Sequence, residues 1–456
     1  MALSSHPKLR TLIVIGLPVG LVLFILLQFI RPNLPNPPVE ADLQAPAPVK
    51  QILQTSCYNC HSNETHLAWF DRIVPGYWLV VSDVKEARKH MNFSDFGKMP
   101  VAQQRGFLYE AVNMAQLGAM PPPQYTFAHP GSVLTDAQLT VLKNYLHENE
   151  ASQPADPAQI AAADAQYQKW ISSPPVTGGV SPTPNGLEYF PDYRDWKPVS
   201  TTDRFDNNTF RVILGNDIAT KAIADNNTHP WPDGSTFAKI AYHRLTDDKG
   251  VDRAGGVIQV EFMIKDAKKY ASTEGWGFGR WRGDNHTPYG KDATFTVECT
   301  SCHAPMKDND FVYTMPIHQA TPPTDFNTIA ALSDDLPYQP LQWKVITSSV
   351  DKPNATMSTL YGNDLAVTHA RTSPQTPYPA GAVLALVTWQ QQDDRHWFGA
   401  RIPGPVQSVE FVSADNPAYT YQSYAGTPLQ KQTTTDAPAT QTRIDAITTA
   451  RASVMP

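Results

Sequence analysis

Cysteine is scarce in this chain: four residues in 456, all confined to two short motifs. No thiol is left over for a separate disulfide framework. Charge is sparse too, at 17% of residues, and 36 basic against 43 acidic side chains give a net charge of −7. Without a basic field, nucleic-acid binding is excluded. Few charges combined with 41 prolines predict many loops and few long surface helices. Long apolar runs are absent but for one, residues 11–30, which carries no charge and follows Lys8 and Arg10. A helix of about 20 residues spans a bilayer. A cleaved signal peptide has an apolar region of only ~7–15 residues and ends in a small-residue cleavage site. This run ends instead in Gln28-Phe29-Ile30-Arg31-Pro32. The expectation is an uncleaved anchor, with residues 1–32 a cytoplasmic stub plus transmembrane helix. The basic flank then places the bulk of the chain in the periplasm of a bacterial inner membrane.

What is present is Cys57-Tyr58-Asn59-Cys60-His61 and Cys299-Thr300-Ser301-Cys302-His303. Two thiols three residues apart, followed by an imidazole, suit covalent attachment of a c-type haem. Each thiol adds to a vinyl group and the histidine is delivered to the iron. A thioredoxin-like redox pair, a four-cysteine zinc site or structural disulfides are the alternatives. None of them explains why histidine follows directly in both places. Two c-type haems are expected, and an aromatic content of 10% suits packing around flat cofactors.

Residues 33–49 are rich in proline and read as a semi-rigid spacer. Residues 50–150 form the first haem domain, where Leu108, Val112 and Ala115 recur at helical spacing. A second helix capped by Thr135 carries Leu139, Leu142 and Leu146. Met120, in Gly118-Ala119-Met120-Pro121-Pro122-Pro123, is the expected sixth iron ligand, with Met99 as rival. This region resembles a small haem-binding domain family found at the N-termini of bacterial membrane-anchored cytochromes. The resemblance rests on residues 56–65, Asn92-Phe93-Ser94, residues 118–121, Tyr125 and His129-Pro130. The family usually has an acidic residue where Ala119 stands. It implies an electron-carrying domain.

After a linker at 151–185 comes an internal repeat. Trp196-Lys197 recurs as Trp343-Lys344, Gly215-Asn216-Asp217 as Gly362-Asn363-Asp364, and Pro232-Asp233-Gly234 as Pro379-Ala380-Gly381, each 147 residues on. Such a period indicates domain duplication. Runs such as 237–242 and 383–389, rich in β-branched and aromatic residues, make both copies mainly β. The expected fold is multidomain α+β. After the transmembrane helix and a small, mainly α haem domain, two tandem β-rich domains follow at 186–320 and 321–430. A weakly ordered tail occupies 431–456. Copy two has no cysteine and cannot hold a haem by this chemistry.

Copy one resembles cytochrome P-460 and the related cytochromes c′-beta. The matching residues are Tyr193-Arg194-Asp195-Trp196, Pro232-Asp233-Gly234, Val260-Glu261, Lys265-Asp266, Gly275-Trp276-Gly277-Phe278, residues 299–304 and Phe311-Val312-Tyr313-Thr314. The resemblance implies a five-coordinate haem, ligated by His303 and open to small nitrogen ligands. It also implies that Lys239 matches a lysine cross-linked to haem and Glu261 a proton-accepting carboxylate above the iron. Cytochromes c′-beta lack the cross-link, so Lys239 alone does not settle the class. Copy two has Leu386 at the lysine position but keeps Glu410. A carboxylate in an apolar haem pocket is expected to have a raised pKa.

The functional expectation is a dihaem cytochrome whose second haem binds hydroxylamine or NO, and oxidises hydroxylamine if catalytic. Electrons would leave through the Met/His haem to a cytochrome or quinone-linked acceptor. The alternatives are a non-catalytic gas-binding or sensing cytochrome, and a pure electron carrier with His243 or His286 closing the second iron. Because an isologous interface can be replaced by a fused, degenerate partner, the chain is expected to be a monomer containing an intramolecular pseudo-dimer.

Overall fold

Helix-period apolar residues dominate the first 149 positions and strand-period residues most of the rest, and the chain divides there. The computed structural model describes residues 7–148, 156–173, 178–319, 325–333, 335–415, 418–433 and 436–456, in two units, 1–149 and 150–456.

The first unit is helical: α1 Pro7–Leu27, α2 Ala47–Ser56, α3 Tyr58–His61, α4 Gly76–His90, α5 Val101–Gln116, α6 Pro123–Ala128 and α7 Asp136–Glu148. Thr135 starts α7 through a reciprocal cap: its backbone N–H donates to Gln138 Oε1 (2.9 Å) and its hydroxyl accepts from Gln138 N (3.3 Å). Ile52, Leu53, Phe93, Leu108, Val112, Leu142 and Leu146 are buried, and α7 packs on α2 and α5.

The membrane anchor expected at 11–30 is not supported. Among the described residues, no helix is long and apolar enough to cross a membrane. A single-pass inner-membrane placement, with the bulk of the chain in the periplasm, loses its support with it. The stub at residues 1–6 lies outside the described residues. After α1 the chain ties into the first unit: Gln28 exchanges hydrogen bonds with both backbone groups of Val74 (2.9 and 3.0 Å), and Trp78 Nε1 donates to Ile30 O at 2.7 Å. The proline-rich stretch also bonds to the helical unit. Arg88 donates to Pro35 O and Asn36 Oδ1, while Ala41 N donates to Ser94 O.

The second unit runs α8 Pro157–Ser172, β1 Lys197–Arg204, β2 Thr209–Gly215, α9 Asp217–Ala224, β3 Thr236–Thr246, β4 Val251–Lys265, β5 Trp276–Arg282, β6 Thr287–Pro288, α10 Thr296–His303, β7 Lys344–Asp351, β8 Thr356–Gly362, α11 Asp364–Thr372, β9 Val383–Asp393, β10 Ala400–Ala414, β11 Tyr419–Ala425, β12 Gln430–Lys431 and α12 Ala437–Thr448. The expected pair of tandem β domains is not what forms. The two copies are halves of one eight-stranded antiparallel barrel, β1-β2-β3-β4-β7-β8-β9-β10, closed by β10 pairing with β1. The physical reason lies at the edges. A four-stranded half would leave β1 and β4 unpaired along one side, and closure with the other copy satisfies both. The interior is shared: Phe210, Val212, Ile240, Val260 and Phe262 meet Met357, Val387, Trp389, Val409 and Phe411 in one core. β5 and β6 extend from β4, and β11 and β12 from β10.

The repeated residues have a common task. Asn216 and Asn363 each accept from the third backbone N–H of the following helix (2.9 and 3.0 Å) and donate to the Pro-x-Gly turn at Gly234 O and Gly381 O (2.8 Å each). Both glycines sit at positive φ, +89° and +85°, a conformation that disfavours side chains.

The stretch read as a linker and the tail read as weakly ordered each carry a helix, α8 and α12. Within the linker, α8 packs on β4, with Gln166 Oε1 accepting from Val257 N at 2.7 Å. The tail forms α12, burying Ile444 and Ile447, and Tyr189 and Tyr193 donate to Pro456 O at 2.9 Å each.

Candidate haem sites

In the first motif, α3 makes a single turn. Cys60 N and His61 N both donate to Cys57 O (3.2 and 2.9 Å), so the two thiols are separated by one helical turn. His61 Nδ1–H donates to Met91 O at 3.1 Å. That fixes the tautomer and leaves Nε2 with its lone pair, the state a metal-binding imidazole needs. Burial lowers the pKa of His61, keeping it neutral. Burial, helped by the Cys60 charge, pushes the Cys57 thiol up to about 12, and burial pushes Cys60 up to about 11. The motif's flanks interlock with the segment bearing Met91: Asn63 N donates to Ser94 Oγ (2.9 Å) and Asn92 Nδ2 to Asn63 Oδ1 (2.9 Å). Met120 lies on the loop after α5, where Ala119 N and Met120 N donate to Met114 O. Its side chain is 43% exposed.

In the second motif, α10 carries Cys299, Cys302 and His303 along one short helix. His303 Nδ1–H donates to Phe311 O at 2.7 Å, again freeing Nε2. Burial brings its pKa down to about 4. The carbonyl is aimed by a turn in which Asp310 and Phe311 both take positive φ (43° and 65°). Asp310 holds that turn, accepting from Lys265 Nζ (2.7 Å) and Trp231 N (2.9 Å). All four cysteines are free, so the disulfide alternative does not describe this fold. Among the described residues, no group of three or more His, Cys, Asp or Glu side chains is arranged to hold a metal ion. Thiols on a helical turn beside a neutral, oriented imidazole fit a thioether-linked haem at each motif.

Facing α10 is a row set by strand register: Ile213 pairs with Lys239, Lys239 with Glu261, and Glu261 with Arg280. Cys299 packs with the apolar residues of the same face, Ile213, Phe237, Met263 and Phe278. Lys239, Glu261 and Arg280 all act electrostatically on Cys299 and His303, so the fold brings the predicted residues together. Lys239 is not a solvent-facing strand lysine; it bonds Glu261, as does Gln259 Nε2, and Arg280 Nε lies 3.2 Å from Glu261 Oε1. The raised pKa expected for Glu261 is not what the site produces. Burial does push the carboxyl up, but Lys239 and Arg280 outweigh it and hold the group down to about 2. Arg280, Gln259 and Asp310 were not singled out from sequence, because their roles depend on strand register and on the turn after α10. Neither histidine offered as a distal ligand joins this row. His243 is exposed, and His286 packs against Tyr189 with ring centroids 4.9 Å apart.

Copy two closes the equivalent face. Leu386 stands between Leu360 and Glu410. Glu410 is held by Arg443 (Nε, 2.8 Å) and Tyr421. α12, at the repeat position of α10, fills the space with Ile444 and Ile447 against Leu360, Leu384 and Val412.

A family model described as haem-binding domain matches residues 22–148. A second, cytochrome P460, matches residues 190–314 and 338–438, one stretch in each copy of the repeat. No curated protein matches the chain. The chain is therefore a haem cytochrome that joins a member of the haem-binding domain family to a cytochrome P460 domain.

Proposed function

We propose that the protein is a dihaem c-type cytochrome whose second haem, attached through Cys299 and Cys302 and ligated by His303, binds hydroxylamine or NO. The observation that carries this is the juxtaposition of an oriented, neutral His303 with the Lys239–Glu261–Arg280 row on the facing strands. When bound, the haem supplies an electron acceptor and a coordination position for a small nitrogen ligand. Glu261 is the group placed to receive protons from such a ligand, because oxidation releases protons with electrons. A Lys239 covalently joined to the haem would lose its ammonium charge, and Glu261 would lose its largest counter-charge, becoming the stronger base. The first haem, on Cys57, Cys60 and His61 with Met120 as sixth ligand, is proposed to pass electrons to a cytochrome or quinone-linked acceptor, the chain acting as a monomer.

A second reading, ligand capture without turnover, is favoured by the depressed Glu261 pKa, since an acid that strong makes a weak base. Hydroxylamine-dependent reduction of the first haem separates the two: turnover gives it, capture gives only a shift in the second haem's spectrum. A wild-type chain carrying no haem at Cys299 and Cys302 would overturn both.

A further inference from the structure

The haem-less copy has no attachment chemistry, yet the loop between its β9 and β10 reaches the histidine side of the second haem site. His396, only 8% exposed, donates from Nδ1 to Tyr313 O at 2.7 Å. The next residue, Trp397, sets its ring edge-on to Tyr313, centroids 5.4 Å apart. Tyr313 in turn lies against the His303 ring (5.2 Å, 75° between planes), and its hydroxyl donates to Cys302 O at 2.6 Å. Two residues before Tyr313 is Phe311, whose carbonyl accepts from His303 Nδ1.

A second grip runs in parallel. Arg395 Nη2 lies 3.0 Å from Asp325 Oδ1, and Asp325 Oδ2 lies 3.2 Å from His229 Nε2. That nitrogen donates to Asn309 Oδ1 at 2.9 Å, and Asn309 Nδ2 donates to Val312 O. The loop is itself fixed: His396 N donates to Asp394 Oδ1 (2.8 Å), and Trp397 Nε1 to Asp206 Oδ2 (3.0 Å) in copy one. Copy two therefore holds the segment 309–313 at two points, on either side of the carbonyl that orients His303.

We propose that His396 and Trp397 of the haem-less copy are positioning residues for the second haem: by fixing Tyr313 they hold the Phe311–His303 hydrogen bond and so set the ligand strength of His303. The proposal rests on the reading of His303 as a haem ligand. A hydrogen bond from the outer ring nitrogen makes an imidazole a stronger donor, and such partners change metal affinity or activity by about 10–100-fold when lost. Silencing one copy then leaves it a task, the support of its twin's axial ligand.

The test uses the full chain with its haems. H396L and W397L remove the two contacts independently, and H396N keeps a donor where His396 Nδ1 stands. Pyridine haemochrome absorbance first counts haems. A wild-type chain with one haem, unchanged by C299S/C302S, overturns the reading of the site and the proposal with it. With two haems present, H396L and W397L should keep both, lower the ferrous iron–histidine stretching frequency in resonance Raman spectra, and raise the second haem's midpoint potential. H396N should match wild type. The proposal fails if H396L and W397L leave frequency and potential unchanged, or if H396N shifts them as far as H396L. Should H396L shed the haem, W397L decides alone.

Discussion

Glu261→Gln, made in a Cys299→Ser/Cys302→Ser background so that Lys239 keeps its ammonium, tests the charge row directly. In the folded chain Glu261 is held at about 2, below its ordinary 4.5. That displacement corresponds to roughly 3 kcal/mol at 1.36 kcal/mol per pH unit. A depressed carboxylate contributes stability above its unfolded pKa, and the contribution is lost as pH falls from about 4.5 toward 2. Burial costs Lys239 some of its own proton affinity, so 3 kcal/mol is an upper bound for the pair. Glu261→Gln should therefore lower urea stability at pH 7 by about 1–3 kcal/mol. At pH 3 the gap should be clearly smaller. The assay is urea unfolding followed by far-UV circular dichroism at both pH values, after each variant is shown to be folded. An equal gap at pH 7 and pH 3 would refute the assignment of charge to this row.

Other expectations follow from the same geometry. Arg443→Met leaves Glu410 buried without its cation and should cost about 1–3 kcal/mol in urea unfolding, less than a fully buried pair because Arg443 is partly exposed. The double change Glu410→Leu with Arg443→Met should recover most of that loss. Lys239→Leu, copying Leu386, should remove any haem-bound lysine peptide from the mass spectrum of a digest and return a red-shifted ferrous Soret band to its ordinary position. Met120→Ala should lower the midpoint potential of the first haem in a redox titration, since methionine ligation raises it; an unchanged potential would point to Met99 or another ligand.

What could be read from the residues was local or repeated. The two haem motifs, the Thr135 cap and the Asn216/Asn363 correspondence all lie within short stretches or at a fixed offset. Barrel closure was not legible, because β2 and its repeat mate β8 are buried on both faces and show no clean alternation to reveal an outside. Residues 11–30 read as an anchor from run length, lack of charge, the basic flank and the missing cleavage site, and none of these says how Gln28 and Ile30 engage Val74 and Trp78. Glu261 was identified, but its depressed pKa depends on Lys239 and then Arg280, which strand register places on either side of it. α12 escaped notice because its threonines and alanines look soluble until Ile444 and Ile447 are seen facing Leu360 and Leu384.

The seams of the barrel carry a consequence for how the chain reaches this fold. β4 meets β7 through Val251–Asp351 and its neighbours, and β1 meets β10 through Asp203–Arg401, the second pairing bridging residues 198 positions apart. Contacts so distant along the chain slow folding, because loop closure must precede them. A ribosome releasing copy one alone would expose two raw strand edges until copy two arrives. Chains cut between the copies should aggregate, and expression of the haem site should require the silent half in the same polypeptide.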